Sequence, residues 1–178
     1  MQHHGVRTRL LDWTESFSVA LFFAYDTWKK HDEKKRPESF SVYMLDPLKL
    51  NEKSTGKESF YTFEEEYESI IRTKNMSGMP ANSVALFPLK NNPRIIAQLG
   101  TFTLQGLSQK PLEEEFSGEL LEKGILKQIK FNKALSLDIE KYLKQTGHNH
   151  FSLFPDLDGL SKYINNMGVF ITTDEIEN

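Results

Sequence analysis

The apolar positions change period several times along the chain, and each change predicts an element. Phe17, Ala20, Leu21, Ala24 and Trp28 recur at helical spacing on one face, while Val19, Phe22 and Phe23 make a second apolar face. A helix capped by Thr14 or Ser16 and running to about His31 is therefore expected, largely buried, with Asp12 and Glu15 near its positive end. Residues 1–13 carry Gly5 and little periodicity, which reads as a loop or short strand. The charged run at 29–38 is a solvated connection. "SFSVYMLD" at 39–46 reads as a strand stopped by Asp46-Pro47.

Residues 49–59 are polar and carry Gly56, and no element is assigned there. A helix is predicted over 61–74, with Tyr67, Ile70 and Ile71 inward, followed by a flexible break at 76–82. "SVALFPL" at 83–89 is a strand, "NNP" at 91–93 a turn, and "RIIAQLG" a short helix closed by Gly100. "TFTL" at 101–104 is a strand, and "LEEEFSGELLEKG" is acidic and exposed. "ILKQIKF" at 125–131 alternates as a strand. Asn132 then caps a helix reaching Gln145, with Leu135, Ile139, Tyr142 and Leu143 inward and Gly147 as its stop. Asp156 starts a last helix ending near Gly168.

Strands and helices mix without regular alternation, so the expected class is α+β, a mixed central sheet flanked by helices. That sheet is expected to hold the segments near 40–46, 83–89, 101–104 and 125–131, with the helix at 14–31 packed across it. The 178 residues read as a single domain over 1–178, with 169–178 as a short acidic tail.

Composition removes several chemistries. With no cysteine there is no disulfide, thiol nucleophile or thiolate metal site. A net charge of -3 points to neither nucleic acid nor an anionic membrane. No apolar run approaches a membrane span, and the first residues do not resemble a signal peptide, so a cytoplasmic location and no membrane partner are expected.

The sequence has no glycine-rich dinucleotide fingerprint, phosphate loop, zincin helix or nucleophile elbow. "HNH" at 148–150 offers two imidazoles, but reads first as a turn after a helix stop, and no metal site is assigned. "DLD" at 156–158 reads as an N-cap and a first-turn acid, and "EEEYE" at 64–68 as a solvated helix face. The densest chemistry lies at 2–14. Arg9 and Asp12 can pair to pin a loop, and Trp13 can be core. Taken together, an imidazole, a guanidinium, a carboxylate and a helix N-terminus in one segment suit an anionic ligand.

"QHHGVRTRLLDWTESFSVALFFA" at 2–24 resembles the central signature of the FRG domain, Q-H-aromatic-G-x-P-T-R-L-L-D-W-T followed by an apolar helix. "NPRIIAQLGTFTL" at 92–104 is similar to the family's R-I-x-x-Q-x-G-x-F segment, and "FPDLDGLSKYI" at 154–164 to its P-D-L-D-G-L segment. Arg7 stands where the family has proline, and the upstream Phe-Arg-Gly tripeptide is absent, so the chain is expected to be an N-terminally truncated FRG domain that is marginally stable or self-associates through the strand edge or groove thus exposed. A weaker similarity links "WTESFSVALFFA" and "RIIAQLGTFTL" to arginine-class ADP-ribosyltransferases, with Gln98 where those enzymes carry the catalytic glutamate of a strand.

The resemblance implies a nucleotide ligand, NAD as substrate, and ADP-ribosyltransferase-like glycosyl transfer. It implies catalytic roles for Gln98 and His3, and binding roles for Gln2, His3, Thr8, Arg9, Asp12, Trp13, Thr14 and Arg94. Arg9 would hold a phosphate, His3 a ribose and Trp13 a stacked ring, with His3, Arg9, Asp12, Arg94 and Gln98 converging on one site. The alternative is a non-catalytic binding module in which the same cluster is a buried structural network. A metal-dependent hydrolase ranks last, because no ligand constellation supports it.

Overall fold

The computed structural model describes residues 8–62 and 78–166. The chain enters through β1 (Leu10–Thr14) and turns at once into α1 (Phe17–Lys29). Ser16 is the N-cap: its hydroxyl accepts from the Val19 N–H at 3.4 Å, and its own N–H donates to Thr14 Oγ1 at 3.0 Å. Val19, Leu21, Phe22, Tyr25 and Trp28 of α1 are buried. Phe17 is not, because it sits on the first turn against Phe131 at the domain surface.

After the connection come β2 (Ser39–Leu45) and α2 (Pro47–Thr55). The second of these has no counterpart in the expected elements. Its apolar face is narrow, but its punctuation is complete. Asp46 caps it by accepting from the Lys49 N–H at 3.1 Å, Pro47 opens it, and Gly56 closes it at φ 76°. Asn51 of α2 is fully buried and acts as a side-chain strand. Its Nδ2 donates to the Ser59 and Ala85 carbonyls at 2.8 and 3.1 Å, and its Oδ1 accepts from the Ala85 N–H at 2.7 Å.

β3 is Tyr61–Thr62, where a helix was expected; the rest of that expected helix, and most of the break after it, lie outside the described residues. β4 (Val84–Phe87), α3 (Pro93–Ala97) and β5 (Gly100–Leu104) follow. α3 ends before Gly100: Gln98 is its C-cap, Leu99 takes φ 47°, and Gly100 already begins β5. The segment expected to be acidic and exposed instead folds inward as a short 3-10 stretch, Leu112–Gly118, and α4 (Glu119–Glu122). Leu112 and Leu120 are buried, and so is Glu115, whose carboxylate accepts from the Ser83 N–H at 2.9 and 3.1 Å and from the Ser83 hydroxyl at 2.9 Å. A carboxylate with that many donors is tolerated inside, so its charge does not place it on the surface.

β6 (Leu126–Asn132), α5 (Ser136–Gln145), α6 (His150–Leu153) and α7 (Leu157–Asn166) complete the described chain. Asn132 caps a 3-10 turn ahead of α5, and α5 buries Ile139 and Leu143 while Leu135 and Tyr142 stay exposed. "HNH" is a helix start: Asn149 and Ser152 form a reciprocal capping box, and His150 lies 3.3 Å from Asp26. Asp156 accepts from the Gly159 N–H at 2.9 Å at the start of α7.

The fold is mixed α+β, but among the described residues the strands of the expected single sheet form two. One has the order β1-β5-β4-β3, antiparallel except for the parallel β3/β4 pair. The other is the antiparallel pair β2/β6, in register over seven residues from Ser39↔Asn132 to Leu45↔Leu126. α1 and α5 cover one face of this pair through Val42, and the opposite face, with Tyr43 and Leu45, meets Leu50, Leu112 and Leu120 and Trp13 of β1. A third cluster, Val84, Leu86, Leu104, Tyr61 and Met79, lies under the four-stranded sheet with Leu10 and Phe102. Among the described residues no helix is long and apolar enough to cross a membrane.

Candidate functional site

The last four residues of the first strand, Leu11–Thr14, open onto a cavity of about 780 Å³. Its other wall is β2 at Ser41–Tyr43; Leu112 and Leu126 line it, and Phe23 of α1 and Phe154 close it, meeting edge to face at a centroid distance of 5.8 Å. A second cavity of about 340 Å³ continues the space along β2 to Leu45 and shares Trp13, Thr14 and Tyr43.

Hydrogen bonds hold these walls in place. Trp13 donates its indole N–H to Thr103 Oγ1 at 3.1 Å, which sets the ring against the cavity. Thr14 Oγ1 donates to the Gln98 carbonyl at 2.7 Å, and Gln98 Nε2 donates to the Leu153 carbonyl at 3.0 Å. Thr14 thus joins the 2–24 segment to 92–104, and Gln98 ties 92–104 to Leu153, the residue before the 154–164 segment.

Among the described residues, the ionisable side chains lining the larger cavity are Asp12, Tyr43 and Glu113. Burial, followed by the neighbouring Glu113 carboxylate, pushes the Tyr43 hydroxyl above its usual range, so the tyrosine stays protonated. Gln128 Nε2 donates to the Tyr43 oxygen at 3.1 Å. Among the described residues the lining is thus aromatic and apolar, with the carboxylates of Asp12 and Glu113 and no basic side chain.

The expected site is only partly assembled. Asp12, Trp13, Thr14 and Gln98 line the cavity together. Arg9 does not join them. It pairs with Gln105 at the far end of the β1/β5 ladder from Gln98, and its Nη1 approaches Met79 Sδ at 3.8 Å. Thr8 is exposed and bonds to the Leu10 carbonyl. Arg94 lies behind Phe154, its Nε and Nη2 on Asp156 Oδ2 at 2.7 and 2.5 Å and its guanidinium 5.5 Å from the Phe154 ring centroid. The Gly159 N–H and then Arg94 hold the Asp156 carboxyl below its usual range. Gln2 and His3 lie outside the described residues. Gln98 sits on a helix cap and not on a strand, and one N–H of its side-chain amide is given to the Leu153 carbonyl. Among the described residues no three His, Asp or Glu side chains gather as metal ligands.

Residues 1–33 match the FRG domain family. The chain matches none of the curated proteins and none of the solved structures. The FRG match spans β1 and α1, and these two elements supply Leu11–Thr14, Ala20 and Phe23 to the cavity. The remaining walls come from outside the FRG match. Ser41, Tyr43, Glu113 and Phe154 were missed from sequence because each reads locally as strand interior, acidic surface or helix flank, and only long-range packing turns them toward β1.

Proposed function

We propose that this FRG-containing chain binds a NAD-type nucleotide through its nicotinamide and adjoining ribose, and supports ADP-ribosyltransferase-like glycosyl transfer. The observation that carries the reading is the cavity itself: the FRG strand opens onto a space of ligand size walled by Trp13, Phe23, Tyr43 and Phe154, with Asp12 and Glu113 as the charges of its described lining. A pyridinium ring is flat and cationic, which suits aromatic walls and carboxylates. When the C1′–N bond breaks, nicotinamide leaves with the bonding electron pair and the ribose gains cationic character, which carboxylates stabilise. An acceptor hydroxyl then bonds to C1′ and gives its proton to a carboxylate. The phosphates lie toward the cavity mouth, since Arg9 is remote and Arg94 is held by Asp156. Gln98 acts as a positioning residue, tying the FRG strand to Phe154 through Thr14 and Leu153.

Thermal melting with NAD, nicotinamide and ADP-ribose tests the binding. NAD and nicotinamide raise the midpoint and ADP-ribose does so least; no shift with NAD or nicotinamide at millimolar concentration removes the reading. Chromatography of released nicotinamide tests the chemistry. A second reading, a non-catalytic binding module, is favoured by one observation: Thr14 Oγ1, Gln98 Nε2 and the Arg94 guanidinium are each engaged in a structural bond. A midpoint shift without nicotinamide release establishes that second reading.

A further inference from the structure

Part of the wall of the larger cavity is carried by a short segment between β5 and α4, residues 109–118, which supplies Pro111, Leu112 and Glu113 to the lining. Left-handed residues stand at both ends of it: Gln109 at φ 53° on one side, and Phe116, Ser117 and Gly118 at 50°, 60° and 89° on the other. Glycine takes that conformation freely, but a bulky aromatic in it is strained. Such strain persists only where the surroundings impose it. The chain on either side is fastened. The Leu107 and Ser108 N–H groups donate to the Pro80 and Ala81 carbonyls at 3.1 and 2.8 Å, and Lys53 of α2 holds Glu119 at 2.7 Å.

Between these fixed ends the segment is held at its back and its front. At the back, the buried Glu115 carboxylate accepts from the Ser83 N–H and hydroxyl. At the front, the Tyr43 hydroxyl donates to the Glu113 carboxylate, and Leu112 is buried in the cluster with Leu120 and Leu126. Release of the segment returns the Glu115 carboxylate to water and relaxes the left-handed turns, while seating it buries Leu112 and makes the front and back bonds. These opposed terms act on one short piece between two turns that can absorb a change of φ and ψ. Such a piece has two discrete arrangements and not a continuous range.

We propose that residues 109–118 form a latched strap that sets the width of the cavity. With Glu115 seated on Ser83, the strap holds Leu112 and Glu113 in the wall beside Tyr43. With Glu115 released, that wall swings out on the turns at Gln109 and Phe116–Gly118. Glu115 is a positioning residue: it stands outside the described lining and acts through Glu113, two residues before it. Filling of the cavity and seating of the latch are reciprocally coupled, so an occupant that touches Leu112 or Glu113 tightens the bond at Ser83. The device serves any such occupant, so it does not rest on the nucleotide reading and survives its failure.

Native-state hydrogen exchange of the full chain tests this, because two neighbouring amides form a matched pair. The Ser83 N–H is given to Glu115 at 2.9 Å, and the Ala85 N–H to Asn51 Oδ1 at 2.7 Å. Both acceptors are buried side-chain oxygens, but only the first belongs to the strap. In the wild-type chain Ser83 exchanges through a local opening that is insensitive to low urea, while Ala85 exchanges only on global unfolding and follows urea. Tyr43→Phe removes the front bond and speeds Ser83 exchange about fivefold, the effect of one hydrogen bond, without converting Ala85 to local exchange. Ser117→Gly relieves a left-handed position and slows Ser83 exchange. Ser83 and Ala85 exchanging together on global unfolding of the wild-type chain overturns the proposal, whatever the variants do. Unchanged Ser83 exchange in Tyr43→Phe, or exchange in Ser117→Gly that is not slowed, overturns it as well.

Discussion

Thr14 and Gln98 stand 84 positions apart in sequence, yet the threonine hydroxyl donates to the glutamine's backbone carbonyl at 2.7 Å and accepts the Ser16 N–H at 3.0 Å. One side chain thereby ends β1, starts α1 and fixes the cap of α3. Gln98 passes the connection on, because its Nε2 donates to the Leu153 carbonyl next to the cavity residue Phe154.

Gln98→Glu tests whether this position is a vestigial catalytic glutamate. A carboxylate cannot donate to the Leu153 carbonyl and places a negative charge against it. The variant loses about 1–3 kcal/mol of stability by chemical denaturation. It gains no nicotinamide release; a gain would assign Gln98 a catalytic place and not a positioning one.

Gly159 is the second point at which the cavity wall is vulnerable. A Cβ there would lie 1.9 Å from the Phe154 carbonyl oxygen and 2.9 Å from that of His150, both backbone atoms. Gly159→Ala must move α7 away from α6 and costs about 3 kcal/mol or more. Ligand binding falls with it, since Phe154 is displaced; a variant as stable as the parent would show that this helix pair is packed differently.

Phe22 and Phe17 lie on the same helix with opposite fates. Phe22 is buried in the cluster with Val19, Tyr25 and Leu153, whereas Phe17 is half exposed. Phe22→Ala lowers stability by about 3–5 kcal/mol, and Phe17→Ala by less than about 1 kcal/mol. Similar losses in urea unfolding would contradict the orientation of α1.

Acid stability has a local reporter in Glu119. Hydrogen bonds from Lys123 and then Lys53, at 2.6 and 2.7 Å, bring its pKa down from 4.5 to about 2. The folded value lies below the unfolded one, so this contribution is present above pH 4.5 and is lost as pH falls toward 2. The Glu119 side chain is partly exposed, so salt screens the effect. Melting curves of wild type and Glu119→Gln converge as pH falls through this window, and converge at neutral pH in high salt; a constant gap would mean that the ion pairs contribute nothing.

The local pattern by itself determined the elements whose period is unbroken: α1 from its apolar spacing, β2 and β6 from alternation, α7 from Asp156, and the FRG signature from a dozen adjacent residues. Side-chain periodicity is written by neighbours a few residues apart, so it survives in one dimension. Which strand joins which edge is not so written. The same alternation suits one sheet or two, and only packing of α1 and Leu112 against opposite faces separated β2/β6 from the β1 sheet. α2 escaped because its caps outweigh a thin apolar face, and Glu115 because a buried carboxylate is recognisable only once Ser83 is beside it. The site divided in the same way. Asp12, Trp13 and Thr14 were legible as neighbours in sequence, but a strand spends about 3.3 Å per residue, and that rise carried Arg9 out of reach of Gln98 while bringing Tyr43, Glu113 and Phe154 to the cavity from three distant segments.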